Sequence, residues 1–328
     1  MILFVVNDAG PAKYIAYLIK KLDKREYICL ASDISAKVFD DFGIEYYRDN
    51  IDISKIELII TGTCLNSCLD KRWVQIGKKH GIRTISIIEH WSLYKKRFEL
   101  DGKYIFADTI LVNDKIAYQE AIDDGVDKER LQIVGNPVFE NIKKKRYRQN
   151  EKIEWKKFYK LDNRKIITFI SEEFKKDFPK DLDNYFGFDE FEVLNDIIEF
   201  LDEDWILLIK LHPSENISKY KYLEKFKNIV IIEKTDIDKL ILFSDIFIGM
   251  GSMLLLEASL LRDNVYSYRP NELIEFIGNK NGMTIEIKDK KELKDVLYGE
   301  FKSRTQMVKN NFIGSTDNIV KLIEEIIK

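Results

Sequence analysis

Residues 205–215 read WILLIKLHPSE: an apolar run from Trp205 to Ile209, then Lys210, and at once His212-Pro213-Ser214-Glu215. A short, continuous apolar run of this kind is a strand buried on both faces, as in a parallel sheet covered by helices. The chain holds only three histidines and five prolines, and one of each stands together at the exit of this strand. Pro213 fixes its own backbone and disfavours helix at His212, so the imidazole is held in an extended, aimed segment. The carboxyl ends of parallel strands are where open α/β sheets bind ligands.

Outward from this stretch the same alternation runs along most of the chain. Strands are expected at 2–6, 27–31, 44–48, 58–61, 84–88, 107–112 and 131–134, and helices at 12–22, 35–42, 69–79 and 115–123. Residues 141–165 then turn polar and basic, and the alternation restarts at Lys165. Further strands are expected at 165–170, 205–210, 229–232, 246–248, 265–268 and 284–287. Helices are expected at 191–201, 237–243, 252–261, 291–297 and 316–327. The fold class is therefore α/β, with two tandem Rossmann-like doubly wound domains facing a central cleft. The domain plan is residues 1–145, a linker at 146–164, a second domain at 165–312, and a C-terminal helix at 313–328 that packs back on the first domain.

The totals bound the function classes. The 328 residues suffice for two cores, and a net charge of -3 with 33% charged residues gives no sign of a nucleic-acid binder. Cys29, Cys64 and Cys68 lack the clustered partners of a zinc site and read as free thiols. No stretch approaches the roughly 20 apolar residues of a spanning helix, and the N-terminal apolar run has no basic leader. The expected location is cytoplasmic. The basic run Lys143–Arg148 reads as a solvated linker, with contact to anionic phospholipid, and so a peripheral membrane association, as the lesser reading.

A second constellation lies at 244–261, SDIFIGMGSMLLLEASLL. A buried strand runs into Gly249-Met250-Gly251-Ser252 and a helix begins. The glycines let a backbone approach a ligand, Ser252 suits an N-cap, and first-turn amides suit an anion. Glu257 is placed to meet a ribose diol. The spacing matches neither the dinucleotide fingerprint nor the P-loop.

Lys-x-His-Pro at 210–213 followed by Gly-x-Gly-Ser-x-x-x-x-Glu-Ala at 249–258 resembles the C-terminal half of GT-B-fold nucleotide-sugar enzymes. These include bacterial sialyltransferases, Kdo transferases and the glycerophosphate transferases of teichoic acid synthesis. Val134-Gly135-Asn136-Pro137-Val138 is similar to a segment of the UDP-GlcNAc 2-epimerases. The resemblance implies that Lys210, His212, Gly249, Gly251, Ser252 and Glu257 contact the nucleotide or its phosphates, with Ser171 and Glu172 lining the same pocket. The His-Pro pair favours CMP- or CDP-linked donors over UDP-linked ones. No cofactor beyond the nucleotide-sugar donor is implied, and no metal. Asp181-Leu182-Asp183 has metal-site spacing but lies in a polar loop.

The first domain then carries the acceptor and the base. Glu89-His90-Trp91 follows the strand at 84–88, with Tyr94 and Arg97 beyond. Either His90 is the base with Glu89 orienting it, or Glu89 is the base itself. Arg97 suits an anionic group, and Trp91, Tyr94 and Asn136 are assigned to the acceptor side. Asp8, in the first βα turn, is a base or a turn and cap residue. The resulting expectation is a metal-independent glycosyltransferase building a bacterial surface glycan on a glycan or glycolipid acceptor. The alternatives are a UDP-GlcNAc 2-epimerase-like epimerase or hydrolase and a non-catalytic nucleotide-sugar-binding protein. Two departures weigh against the epimerase: Glu89-His90-Trp91-Ser92 replaces its His-x-Glu-x-Gly run, and Pro213-Ser214-Glu215 stands where it has an arginine-rich segment.

Overall fold

The structure is a computed structural model that describes residues 1–22, 26–144, 146, 149–300 and 312–328. The chain divides into two compact units, Met1–Asn141 with Asn310–Lys328, and Ile142–Lys309.

The first unit runs β1 (Ile2–Val6), α1 (Ala9–Ile19), β2 (Tyr27–Ala31), α2 (Asp33–Phe42), β3 (Leu58–Thr61), α3 (Leu69–His80) and β4 (Arg83–Ile88). A two-stranded antiparallel hairpin follows, β5 (Glu99–Leu100) with β6 (Lys103–Tyr104). The unit continues with β7 (Thr109–Val112), α4 (Lys115–Asp123), β8 (Leu131–Ile133) and α5 (Pro137–Ile142). Its six-stranded sheet is parallel, in the order β2-β1-β3-β4-β7-β8. β1 is buried at every position, as an inner strand covered on both faces must be. The strand order changes direction between β1 and β3.

The second unit runs α6 (Gln149–Phe158), β9 (Lys165–Ile170), α7 (Phe174–Asp177), α8 (Glu190–Glu199), β10 (Trp205–Lys210), β11 (Ile229–Ile232) and α9 (Ile237–Phe243). It closes with β12 (Ile246–Gly249), α10 (Met253–Ser259), β13 (Val265–Tyr268), α11 (Ile277–Lys280), β14 (Ile285–Ile287) and α12 (Lys290–Leu297). The sheet order is β11-β10-β9-β12-β13-β14, all parallel. Renumbered within the unit, this is the dinucleotide-fold order 3-2-1-4-5-6, with its reversal between β9 and β12. The α/β class with two Rossmann-like sheets is thus the observed architecture.

The last helix, α13 (Ser315–Ile327), belongs to the first unit and packs on α1. Glu140 accepts from the backbone and hydroxyl of Thr316 at 3.0 and 2.8 Å, which ties α13 to α5.

Three local differences from the sequence reading have plain causes. α1 starts at Ala9 rather than residue 12, because Asp8 takes the extended N-cap conformation and Pro11 falls in the first turn, where its missing N–H costs nothing. The strand expected at 44–48 reduces to a single bridge between Tyr47 and Leu30. The stretch read as a linker holds α6, whose Trp155 is buried against Phe243 of α9. The basic run partly falls on 145, 147 and 148, outside the described residues.

Candidate active site

In the first unit the reversal between β1 and β3 gathers ionisable side chains. Asp8 is the N-cap of α1, yet its side chain makes no capping hydrogen bond. Gly10 in the first turn of α1 lies against Glu89, which follows β4: a Cβ at Gly10 would stand 2.8 Å from Glu89 Oε1. Gly62, after β3, is equally close-packed, since a Cβ there would stand 2.9 Å from Pro11 Cβ and 3.4 Å from Asp70 Oδ2. Small residues at these two positions are what let the start of α1 close over the carboxylates.

Asp70 and Glu89 are the chemically unusual members of this group. Asp70, in the first turn of α3, is 2% exposed, and its Oδ2 accepts the Cys64 N–H at 2.7 Å. Glu89 is 8% exposed. Among the described residues neither Asp70 Oδ1 nor Glu89 Oε2 has a hydrogen-bond partner, nor has the buried Tyr14 hydroxyl. Burial pushes the Glu89 carboxyl up to about 7; Arg97 works against the rise and Asp8 adds to it. Burial likewise pushes Asp70 up to about 7, with the Cys64 amide opposing and Asp8 and Glu89 adding. His90 is half-buried, its Nε2 3.3 Å from Glu89 Oε1. Desolvation and the positive charge of Arg97 pull it down to about 4, so the imidazole is neutral near pH 7. A carboxyl held near neutrality can either give or take a proton near pH 7.

The side chains assigned to the acceptor take supporting positions instead. Trp91 is buried, donates its indole N–H to Asp114 at 2.8 Å, and stacks on Phe139 with ring centres 6.1 Å apart. The Tyr94 hydroxyl donates to Glu120 at 2.9 Å. Arg97 is buried and spends its Nε and Nη1 on the Ser92 and Thr63 carbonyls, at 3.0 and 3.1 Å. It thereby carries a fixed positive charge beside Glu89 while holding the ends of β3 and β4. Asn136 caps α5 through the Val138 N–H at 2.9 Å and donates to Asn113 at 3.2 Å; Asn113 in turn donates to the Glu89 carbonyl at 2.7 Å. These residues hold Glu89 and its loop in place, because their polar groups are already satisfied by protein.

In the second unit the reversal between β9 and β12 brings Ser171-Glu172 to the Gly249–Ser252 turn. The Gly251 N–H, expected to meet a phosphate, donates to Glu172 Oε2 at 3.0 Å. The Met250 carbonyl accepts from Arg269 Nη1 and from Ser267 Oγ, each at 2.9 Å. One peptide is thus gripped at both ends. Ser252 caps α10 as expected, accepting the Leu254 N–H at 3.2 Å, but α10 has only seven residues. Burial pushes the Glu172 carboxyl up to about 7, and its bond from Gly251 and the charge of Arg269 oppose the rise. Lys210 is buried and donates to the Leu211 carbonyl, and Glu257 lies within α10. Ser171 is fully buried, 2.7 Å from Glu215 Oε1 and 2.6 Å from the Tyr220 hydroxyl.

The His-Pro turn owes its shape to Glu215, whose Oε2 accepts the His212 N–H at 2.6 Å. Glu215 is held by Lys219, which also pairs with the buried Glu190 at 2.6 Å. His212 itself is exposed. Asp181 and Asp183 are exposed, and no group of three or more metal-ligating side chains occurs among the described residues.

Asp70 escaped the sequence reading. Its signal is a carboxylate on the apolar stripe of α3, where Asp70, Val74 and Gly77 are all buried. The partners Glu190 and Lys219 of the His-Pro turn were missed as well.

No protein-family model matches this sequence, and no curated protein resembles it closely enough in sequence to be matched. Solved structures do resemble it. UDP-GlcNAc 2-epimerase from Methanocaldococcus jannaschii superposes with a TM-score of 0.71 at 13% identity, over 99% of this chain and 100% of that one. The UDP-GlcNAc 2-epimerase of Neisseria meningitidis, solved with UDP-GlcNAc bound, gives 0.67 at 13% identity over 99% and 100%. Anabaena HepE in complex with UDP-glucose gives 0.62 at 10% identity over 100% and 98%. At this identity the likeness establishes a shared fold along the whole chain.

Proposed function

We propose that this chain is a nucleotide-sugar enzyme of the 2-epimerase kind, whose first unit performs acid–base chemistry on a UDP-linked amino sugar. The observation that carries the reading is the pair Asp70 and Glu89, two buried carboxyls both pushed up to about 7 at the β1/β3 reversal. Inverting a carbon centre requires a proton to be taken from one face and returned to the other. A single ionised carboxylate does only half of that, whereas a pair poised near pH 7 supplies both halves. Relatives in fold named as UDP-GlcNAc 2-epimerases give this reading more weight than the glycosyltransferase one. The departures at Glu89-His90-Trp91-Ser92, a run that includes Glu89 itself, and at Pro213-Ser214-Glu215 weigh on the other side.

The test is incubation with UDP-GlcNAc in D2O at pH 7, without acceptor, followed by proton NMR at C2. The expected result is loss of the C2 proton signal with appearance of the epimer or of UDP. Asp70→Asn and Glu89→Gln should each slow this by about 100-fold or more. Folded protein that gives neither exchange nor nucleotide release between pH 6 and 8 refutes the proposal.

A glycosyltransferase acting in surface-glycan synthesis is the second reading, favoured by the 3.3 Å approach of His90 Nε2 to Glu89, a base with its orienting partner. It requires nucleotide release that depends on an added glycan or glycolipid acceptor.

A further inference from the structure

His212 stands at the end of β10 with a second polar chain behind its ring. The imidazole Nδ1 is 2.7 Å from Ser214 Oγ, and Ser214 Oγ is 2.6 Å from Glu173 Oε2. Glu173 follows β9, on the neighbouring strand, so the contact joins two adjacent strand ends. We infer that Glu173 and Ser214 form a relay that fixes His212 in the tautomer with the proton on Nδ1, leaving Nε2 as a hydrogen-bond acceptor for the ligand.

The count of protons fixes the tautomer. The Glu173 carboxyl is held below its ordinary range by the Ser214 hydroxyl and by Lys176, whose Nζ is 3.1 Å away. It is therefore a carboxylate near neutral pH and can only accept. The single hydroxyl proton of Ser214 must point at it. Ser214 Oγ then has only lone pairs to offer His212, and Nδ1 must be the donor. The Ser214 amide lies 3.3 Å from the same Nδ1 and would favour the opposite tautomer. It is the longest of the three contacts, and the hydroxyl–carboxylate bond is charge-assisted, so the relay outweighs it.

The consequence changes what His212 can do. With Nδ1 protonated, a neutral imidazole cannot donate from Nε2 to a phosphate oxygen. It can accept a proton or a hydrogen bond from a sugar or ribose hydroxyl or a base N–H; a phosphate is met only by the doubly protonated ring. Glu173 and Ser214 are positioning residues, since they act through His212.

The tautomer is directly measurable, because the chain has only three histidines to resolve. Ring 15N–13C correlation NMR of the full chain at pH 8.5, where an ordinary histidine is neutral, should show Nδ1–H dominant at His212. Ser214→Ala should move the majority to Nε2–H, Ser214→Thr should restore Nδ1–H, and Glu173→Gln should give a mixture. His80 and His90 serve as internal controls that stay unchanged. A dominant Nε2–H form in the unaltered protein, or a ratio indifferent to Ser214→Ala, overturns the relay. The inference carries the proposed function to its binding side, but the readout needs no substrate. Inactivity toward UDP-GlcNAc with the expected tautomers would refute the function and leave the relay standing.

Discussion

Replacing Glu89 by glutamine should make the protein more stable at pH 8 while removing its activity. A rise of the carboxyl from 4.5 to about 7 in the folded state corresponds to about 3 kcal/mol between the two protonation states. Below its ordinary value the group is protonated whether folded or unfolded and contributes nothing to the difference. As pH climbs from about 4.5 to 7 the unfolded chain gives up this proton while the folded chain retains it, so stability falls. Above 7 the full penalty of a buried carboxylate is in place. Glutamine has no such titration. Water entry and side-chain relaxation reduce buried-charge penalties; if they remove half, about 1.5 kcal/mol remains, or roughly 3–6 °C in Tm for a unit of this size. The loss of the negative charge also eases Asp70, which Glu89 holds up. His90 contributes with the opposite sign: its pKa of about 4 in the fold makes stability fall on acidification from 6.5 towards 4. That limb lies below pH 6.5, so the comparison is read between pH 7 and 8.5, where it is flat. Calorimetric melts of wild type and Glu89→Gln from pH 7 to 8.5 decide the matter. The variant should melt several degrees above wild type at pH 8. A variant no more stable than wild type at pH 8 refutes a buried, proton-sharing Glu89.

Gly10→Ala would place a Cβ 2.8 Å from Glu89 Oε1; the gain in helix propensity, up to about 1 kcal/mol, offsets the strain, so turnover should drop about tenfold or more while Tm moves by no more than about 2 °C. Lys219→Met leaves Glu190 and Glu215, with side chains 2% and 0% exposed, without their cation, and urea unfolding should show a loss of about 3–5 kcal/mol. Trp91→Phe removes the N–H that satisfies Asp114 and should cost about 1–2 kcal/mol in the same assay. An unchanged urea midpoint would instead return Trp91 to the ligand side.

Strands, helices and their alternation were legible because burial on both faces writes itself as unbroken apolar runs such as Ile2–Val6 and Trp205–Ile209. The same local code located Glu89, His90, Ser252 and the His-Pro turn at strand exits. It failed at α6, where lysines and glutamates around Trp155 hide one buried face. It failed again at Asp70, because a helix pattern records which residues face inward but not what they face.

What the sequence alone determined is the set of elements and the strand ends that deliver polar groups, since periodicity and turn chemistry are local. The tertiary structure decided which strands are neighbours, and with them which charges meet. Only the order β2-β1-β3-β4 sets Asp8, Asp70 and Glu89 at one reversal, and only the pairing of β9 with β10 sets Glu173 behind His212. Proton affinity depends on burial and on the charges within a few ångströms, and neither is written in the order of residues along the chain.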